Sequence, residues 1–175
     1  MSENFNAFEI PPIAERGQHA VAPEIFSGIY AMPMFVRIPT SDLTTSTDFW
    51  VRGLGFIELF SIPGRVVHLR RWAFQDVLLV PSADMPLETA AMTVSFAAVM
   101  SQLDHVAAEC EELVAGSATG PYSTPWNTLD LEVVTPERTR VVLTAAKAND
   151  PDTEEVRNLE AAGLIAPQNG NHVGP

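Results

Sequence analysis

The sequence predicts an α+β fold made of two tandem modules, each with the element order strand–helix–strand–strand–strand (βαβββ). Two observations lead to this prediction. Residues 32–81 contain an apolar run, an amphipathic stretch and three β-rich stretches in that order. A similar order of patterns returns over residues 91–146. The polar segment Ser82–Thr89 links the two copies, so we interpret residues 32–147 as one domain.

The first module can be followed element by element. It starts with the apolar run MPMFVRIP, which suits a buried strand. A helix is predicted to begin at Ser41-Asp42 and to continue through the amphipathic stretch TSTDFWVRGLGF. Two β-rich stretches, FIELFSIPG and RVVHLRRWA, are joined at Pro63-Gly64, a dipeptide typical of turns. The run DVLLVP completes the module as its last strand.

The second module has the same kind of pattern with different residues. Residues 92–99 read as a buried strand, and the next helix is predicted to be capped by Ser101 and to end at Gly116. The apolar face of this helix repeats at helical spacing and contains Leu103, Val106, Ala107, Cys110 and Leu113. A loop is predicted at Gly120–Thr128, before a closing hairpin formed by TLDLEVV and RVVLTAA.

The signature DFWVRGLGF, at the end of a helix that runs into a strand, resembles the vicinal oxygen chelate superfamily. That superfamily includes glyoxalases, bleomycin resistance proteins and extradiol dioxygenases. The resemblance implies that the two modules form one curved mixed sheet with a central cleft, and that the helices lie outside. It also implies a homodimer with ligand crevices between modules, and a divalent metal as in most members.

The metal ligands of that family are His, Gln or Glu, one on the first and one on the last strand of each module. The matching positions here are Phe35, the run Val77–Val80, Thr93 and Val142. Divalent metals need imidazole, carboxylate, thiolate or carbonyl donors, and these side chains offer none. A shift of one residue brings in no better donor. The sequence therefore resembles the metal-free, antibiotic-binding members, and we predict no metal and no cofactor.

Composition and charge narrow the classes of function. The chain has 175 residues and a net charge of −12, which argues against nucleic acid, because its binding depends on cationic contacts with phosphate. The acidity suits a cationic ligand or only keeps the protein soluble. The single cysteine, Cys110, excludes an intrachain disulfide and favours a cytoplasmic location. No apolar run approaches the roughly 18 residues of a membrane-spanning helix, so no membrane partner is expected.

Candidate ligand contacts come from aromatic and cationic residues near the predicted cleft. His68, Arg70 and Trp72 alternate along one face of a predicted strand, where they can meet a planar polar ligand. A half-solvated sheet face explains the same pattern. Tyr122 and Trp126 lie in the proline-restricted loop, whose PWN segment resembles antibiotic-binding members, although Trp126 could instead close the end of the sheet. The predicted set, which includes no catalytic residue, is Phe35, Phe60, His68, Arg70, Trp72, Phe96, Tyr122 and Trp126.

These features predict metal-independent binding and sequestration of a small aromatic or cationic natural product, as in an antibiotic resistance protein. The main alternative is a metal-free isomerase, lyase or cyclase of natural-product biosynthesis on the same fold. A third alternative, a structural or regulatory dimer without a ligand, would show a cavity filled by side chains. Residues 1–31 are predicted to form an arm that packs on the core or on a partner, and residues 148–175 a short helix and a tail.

Overall fold

The computed structural model of the protein describes residues 16–28 and 34–163, so the predicted arm and tail lie partly outside the described residues. Strands and helices follow one another in the predicted order, and a π-helical turn, Phe49–Gly53, continues the first helix. The elements are β1 Phe35–Thr40, α1 Leu43–Asp48, β2 Ile57–Ile62, β3 Val66–Arg70, β4 Asp76–Pro81, β5 Thr93–Ala98, α2 Met100–Leu113, β6 Ala118–Ser123, β7 Thr128–Val134, β8 Arg140–Ala146 and α3 Glu154–Ala161. The α+β class with two tandem βαβββ modules is confirmed.

Backbone hydrogen bonds join the strands into two four-stranded sheets, one from each module. The strand orders are β1-β4-β3-β2 and β5-β8-β7-β6. In each sheet the first strand runs parallel to the last strand, and the other neighbours are antiparallel. The prediction was one curved sheet. The backbone hydrogen bonds instead form two separate sheets, one for each module.

One strand was not expected from the sequence. The first part of the predicted loop Gly120–Thr128 belongs to β6, which pairs with β7 at the edge of the second sheet. This strand contains a cis Gly120-Pro121 bond, and its register shifts between Thr119 and Tyr122. Glycine and proline argue against a central strand, but they are tolerated on an edge strand with an irregular register.

The two principal helices begin differently. Asp42 caps α1 as predicted, because its carboxylate accepts from the backbone N–H groups of Thr44 at 2.9 Å and Thr45 at 3.1 Å. The predicted cap of α2 at Ser101 is wrong, since the helix starts from Val99 without a side-chain cap and Ser101 lies inside it. Val99 is buried, so tertiary packing rather than a local hydrogen bond fixes the start of α2.

One hydrophobic core lies on the helix side of both sheets. Trp50 is fully buried there, and its ring meets the rings of Phe56 at 5.0 Å and Phe96 at 6.3 Å in edge-to-face contacts. Phe96 was predicted to contact a ligand, but it points with the even-numbered residues of β5 toward the helices. The Trp50 indole also donates to a carboxylate oxygen of Glu137 at 3.3 Å.

Arg71 connects the two modules through hydrogen bonds. Its buried guanidinium donates to the backbone oxygen of Leu54, to the backbone oxygen of Ala97 at 3.2 Å and to the Gln102 side chain at 3.0 Å. Leu54 ends the helical segment of the first module, whereas Ala97 and Gln102 belong to β5 and α2.

No helix among the described residues is long and apolar enough to cross a membrane.

Candidate functional site

Each sheet packs one face against the helices and leaves the other face outside the core. On the first sheet, Val67, Leu69, Val77 and Leu79 point into the core. The opposite side of this sheet, called face A, carries the alternate residues of the same strands. They are Phe35, Arg37 and Pro39 of β1, Asp76, Leu78 and Val80 of β4, Val66, His68 and Arg70 of β3, and Phe60 and Ile62 of β2.

A buried hydrogen-bonded cluster forms the polar centre of face A. The Arg70 guanidinium donates to both oxygens of Asp76, through Nε at 2.6 Å and Nη2 at 2.7 Å. His68 Nε2 lies 3.0 Å from the Asp76 Oδ2 atom. A carboxylate accepts hydrogen bonds, so Asp76 fixes the proton of a neutral His68 ring on Nε2. The Nδ1 atom of His68 is then the nitrogen left for other partners.

Aromatic side chains flank this polar centre. Phe60 contacts the His68 ring edge-to-face, with the ring centroids 5.1 Å apart. Phe35 lies opposite Asp76 on the neighbouring strand. The side chains of Phe35 and Phe60 are 48% and 42% exposed, so both offer apolar surface to a ligand. Face A thus brings together three predicted contacts, Phe35, Phe60 and His68.

The N-terminal arm covers one end of face A. The Arg70 Nη1 atom donates to the backbone oxygens of Phe26 at 2.9 Å and Gly28 at 2.5 Å. The guanidinium also lies 5.8 Å from the centre of the Phe26 ring. Arg70 was predicted as a ligand contact, and the structure places it beneath the arm, only 1% exposed. Arg70 is therefore positioned to hold Asp76 and the arm in place and not to contact a ligand.

Trp72, another predicted contact, also lies away from the open part of face A. It follows the end of β3 and is buried in a small cluster with Ala20 of the arm and Val99. The Arg71 guanidinium lies 5.5 Å from its ring centre. The alternation from His68 to Trp72 fails here, because the strand ends at Arg70 and the chain turns. Neither Trp72 nor Phe96 is positioned to touch a ligand on a sheet face.

The corresponding side of the second sheet, called face B, is polar and acidic. It carries Thr93 and Ser95 of β5, Arg140, Val142 and Thr144 of β8, Asp130 and Glu132 of β7, and Thr119 and Tyr122 of β6. Asp130 accepts from the hydroxyls of Thr128 and Thr144, each at 2.7 Å, and Glu132 pairs with Arg140. Burial and the nearby Glu132 and Asp130 carboxylates raise the pKa of Tyr122.

Tyr122 and Trp126, the remaining predicted contacts, belong to the second sheet and not to face A. Tyr122 lies on β6 and is partly exposed. Trp126 lies in the turn before β7, where its backbone N–H donates to the Thr124 hydroxyl at 3.2 Å. Its side chain is 67% exposed, so in a single chain it does not close the end of the sheet. The predicted set is thus divided between two sheets.

The residues present do not fit a divalent metal. The positions implied by the family resemblance hold Phe35, Leu78 or Val80, Thr93 and Val142, whose side chains lack suitable donors on the two faces. Among residues 16–28 and 34–163, no group of three or more His, Cys, Asp or Glu side chains is arranged to hold a metal.

Cavities lie on both sides of the first sheet. A depression of about 300 Å³ on face A is lined by Arg37, Pro39, Val80, Pro81 and Ser82. A larger groove, about 620 Å³, lies on the other side of the sheet, between α1 and the β2–β3 hairpin, and includes Thr47, Asp48 and Glu58 in its lining. The depression, unlike the groove, lies on the same face as His68 and the two exposed phenylalanines.

Comparisons with known proteins show what this fold resembles. No protein-family model matches the sequence, and no curated protein matches it significantly. Solved structures do match. One is a variant of the fosfomycin resistance protein FosX from Listeria monocytogenes, complexed with Mn(II) and 1S,2S-dihydroxypropylphosphonic acid, with 12% identity and a TM-score of 0.57 over 77% of this chain and 99% of that chain.

Two further matches have the same character. A bleomycin-binding protein complexed with bleomycin is 15% identical, with a TM-score of 0.51 over 67% of this chain and 100% of that one. An integron cassette protein from the metagenome of a Halifax Harbour sewage outfall is 20% identical, with a TM-score of 0.51 over 65% and 97%. At these identities the likeness is one of fold. It confirms the resemblance in fold that the sequence predicted.

Proposed function

We propose that this chain, which shares its fold with a bleomycin-binding protein and with fosfomycin resistance proteins, binds and sequesters a small aromatic natural product without a metal. The observation that carries the proposal is face A, where two exposed phenylalanines flank a buried and hydrogen-bonded His68. Ligand sites commonly combine apolar walls with a few fixed polar groups. Such a protein confers resistance by holding the compound, and it requires no catalytic residue.

A homodimer is part of this proposal. Face A and face B both leave aromatic side chains exposed in a single chain, including Phe35, Phe60 and Tyr122. Face A has a net basic character and face B an acidic one, so the two faces of different copies are complementary. A ligand enclosed between them would lose most of its contact with water.

The location proposed for the protein is the cytoplasm, and no nucleic acid partner is proposed because the net charge is −12.

Binding can be tested by calorimetry with bleomycin and a panel of aromatic antibiotics. If face A is the site, Phe60→Ala should weaken the affinity by about 1–3 kcal/mol, roughly tenfold or more, with little change in melting temperature. Leu87→Ala is the matched control, because Leu87 is an exposed apolar residue of the linker between the modules. Equal affinities for the Phe60 variant and the control would contradict the assignment of the site.

A metal-free enzyme is the second candidate, and one observation favours it. A histidine oriented by a carboxylate, as His68 is by Asp76 at 3.0 Å, is a common arrangement of a general base. The two functions differ in the fate of the ligand. Mass spectrometry of a bound compound after hours of incubation should recover it unchanged if the protein only sequesters it. A product that forms with the wild type and not with His68→Gln would favour the enzyme.

A further inference from the structure

We infer that face A selects a flat ligand that lies above Leu78 between Arg37 and His68 and carries a negatively charged group, such as an aromatic carboxylate, paired with Arg37. The inference rests on the proposed binding function and names the chemical class of its ligand. The strand register pairs Arg37 with Leu78 and Leu78 with His68. The three side chains therefore form one row across β1, β4 and β3, and Phe60 extends the row on β2.

The dimensions of this row suit a flat ligand. Adjacent strands are about 4.8 Å apart, so the backbones of Arg37 and His68 are separated by about 10 Å. Leu78 lies between them and is half-buried, which makes it the apolar floor of the gap. A long arginine side chain can reach the charged end of a ligand above Leu78, while the imidazole contacts the other end.

The charges on face A favour an anion at this place. Arg70 and Asp76 neutralise each other through two short hydrogen bonds. Arg37 is exposed and forms no ion pair with an acidic residue in the described part of the chain. Glu137 lines a small cavity together with Arg37, but its carboxylate lies beyond ion-pair distance of the guanidinium and accepts from the Trp50 indole. Among the described residues, Arg37 is thus the guanidinium of face A that no carboxylate pairs with.

Room for an aromatic ring exists next to that guanidinium. The depression of about 300 Å³ on face A is lined by Arg37 together with Pro39, Val80 and Pro81, whose surfaces are largely apolar. Guanidinium groups bind carboxylates through two parallel hydrogen bonds and also stack on aromatic rings. His68 Nδ1 then remains for a hydroxyl or amine of the same ligand. The net charge of −12 opposes anions at long range, but at physiological salt this field is screened beyond about 8 Å.

Three probes of one shape test the inference: 2-naphthoate, neutral 2-naphthamide and cationic 2-naphthylmethylammonium. Each is titrated into the ¹⁵N-labelled full-length protein at physiological salt, and amide shifts give both the affinity and the location. We expect the carboxylate to bind at least tenfold more tightly than the other two, with shifts centred on Arg37, Leu78 and His68. Arg37→Gln should remove this preference and leave the weaker affinity for naphthamide unchanged.

Two further variants complete the experiment. Arg65→Gln, on the exposed β2–β3 turn of the same sheet, removes an equal charge away from the row and should keep the preference. Arg37→Lys should restore part of it, because lysine keeps the charge without the fork. If naphthoate binds no better than naphthamide, or if Arg37→Gln retains its preference, the inference is overturned and the binding function stands. If none of the probes shifts face A, both are overturned.

Discussion

Arg71 is a buried cation that no carboxylate pairs with in the described residues. Its three hydrogen-bond acceptors, on Leu54, Ala97 and Gln102, come from both modules. Desolvation by burial lowers the pKa of Arg71 to about 10. A charge that is expensive to bury is therefore compensated by hydrogen bonds to three acceptors. The residue is thus a polar connection between the modules, in addition to the Trp50–Glu137 hydrogen bond.

Arg71→Ala should lower the free energy of unfolding by on the order of 3 kcal/mol, since several buried acceptors lose their donor at once. Arg52→Ala is the control, because Arg52 forms only exposed pairs in the described residues, with Asp48 at 3.0 Å and with Glu112 of α2 at 4.0 Å. Exposed pairs of this kind contribute less than about 1 kcal/mol. Urea unfolding of the two variants and the wild type provides the comparison. Similar losses of unfolding free energy in both variants would show that the hydrogen bonds of Arg71 add no more stability than an exposed ion pair.

Cys110 allows a prediction about alkaline pH. Burial, followed by the charges of Glu109 and Glu111, raises the pKa of this thiol from 9.0 to about 12. Above pH 9 the unfolded chain loses the thiol proton first, so stability from this group is complete below pH 9 and is lost as pH rises toward 12. The unfolding free energy of wild type minus that of Cys110→Ala should be constant from about pH 7 to 9 and then fall.

Subtracting the unfolding free energy of Cys110→Ala from that of the wild type cancels the titration of the groups that both proteins share, including Arg71. A second readout is chemical: an aromatic disulfide reagent should modify Cys110 slowly in the folded protein at neutral pH and rapidly in urea, because the thiolate is the nucleophile. Parallel pH profiles for wild type and Cys110→Ala would contradict the prediction.

At this scale the sequence predicts side-chain direction better than contacts. Alternation along β3 correctly places His68 and Arg70 on one face, since it depends only on the period of a strand. It does not reveal that Asp76 lies opposite Arg70, because that requires the register between two strands. It also gives no sign that the backbone of Phe26 and Gly28 covers Arg70. Long-range contacts of this kind have no local pattern.

Among the elements, the N-terminal arm departs most from regular structure and still makes specific contacts. The Gly17 N–H donates to the oxygen of Ala146 at 3.0 Å, at the end of β8. Farther along, Ala20 packs with Trp72, and the arm reaches Arg70 on the other sheet. The described part of the arm therefore runs across both modules, and it packs on the core of its own chain.

Deletion of residues 1–31 should lower the melting temperature by several degrees, because it uncovers Trp72 and removes two acceptors from Arg70. Phe26→Ala in the full-length chain should show part of this loss, because the Phe26 ring lies on the Arg70 guanidinium. Val21→Ala is its control, since Val21 is an exposed apolar residue of the same arm. Scanning calorimetry measures all three. An unchanged melting temperature after the deletion would mean that the arm adds no stability.

Local signals predict elements well where they are strong and fail where packing decides. Asp42 begins α1 as predicted, since an N-cap is a local hydrogen bond. The start of α2 and the strand β6 were missed because both depend on contacts with distant parts of the chain and not on a local hydrogen bond. β6 contains Gly120 and Pro121, residues typical of loops, and it becomes a strand only because β7 supplies its hydrogen bonds. Edge strands of this type depend on their neighbour.

At the scale of the whole molecule, the order of the modules was predictable and their mutual arrangement was not. The repeated element order and the signature DFWVRGLGF lead to two tandem modules. The division into two sheets depends on which strand edges form hydrogen bonds, and no sequence pattern specifies this. The predicted contacts were likewise split between face A and face B, with Phe35 on one and Tyr122 on the other.

The proposed dimer predicts the mass of the protein in solution. Light scattering after size-exclusion chromatography should show twice the mass of the 19.0 kDa chain. Phe35→Glu should shift the protein toward the monomer, because it adds a negative charge to face A where the acidic face B of the second copy would approach. Leu87→Glu introduces the same charge on an exposed leucine outside both faces and should leave the dimer intact. A monomeric wild type, or a fully dimeric Phe35→Glu variant, would rule out closure of the site between face A and face B of two copies. The ligand would then have to bind to a face that remains open on one chain.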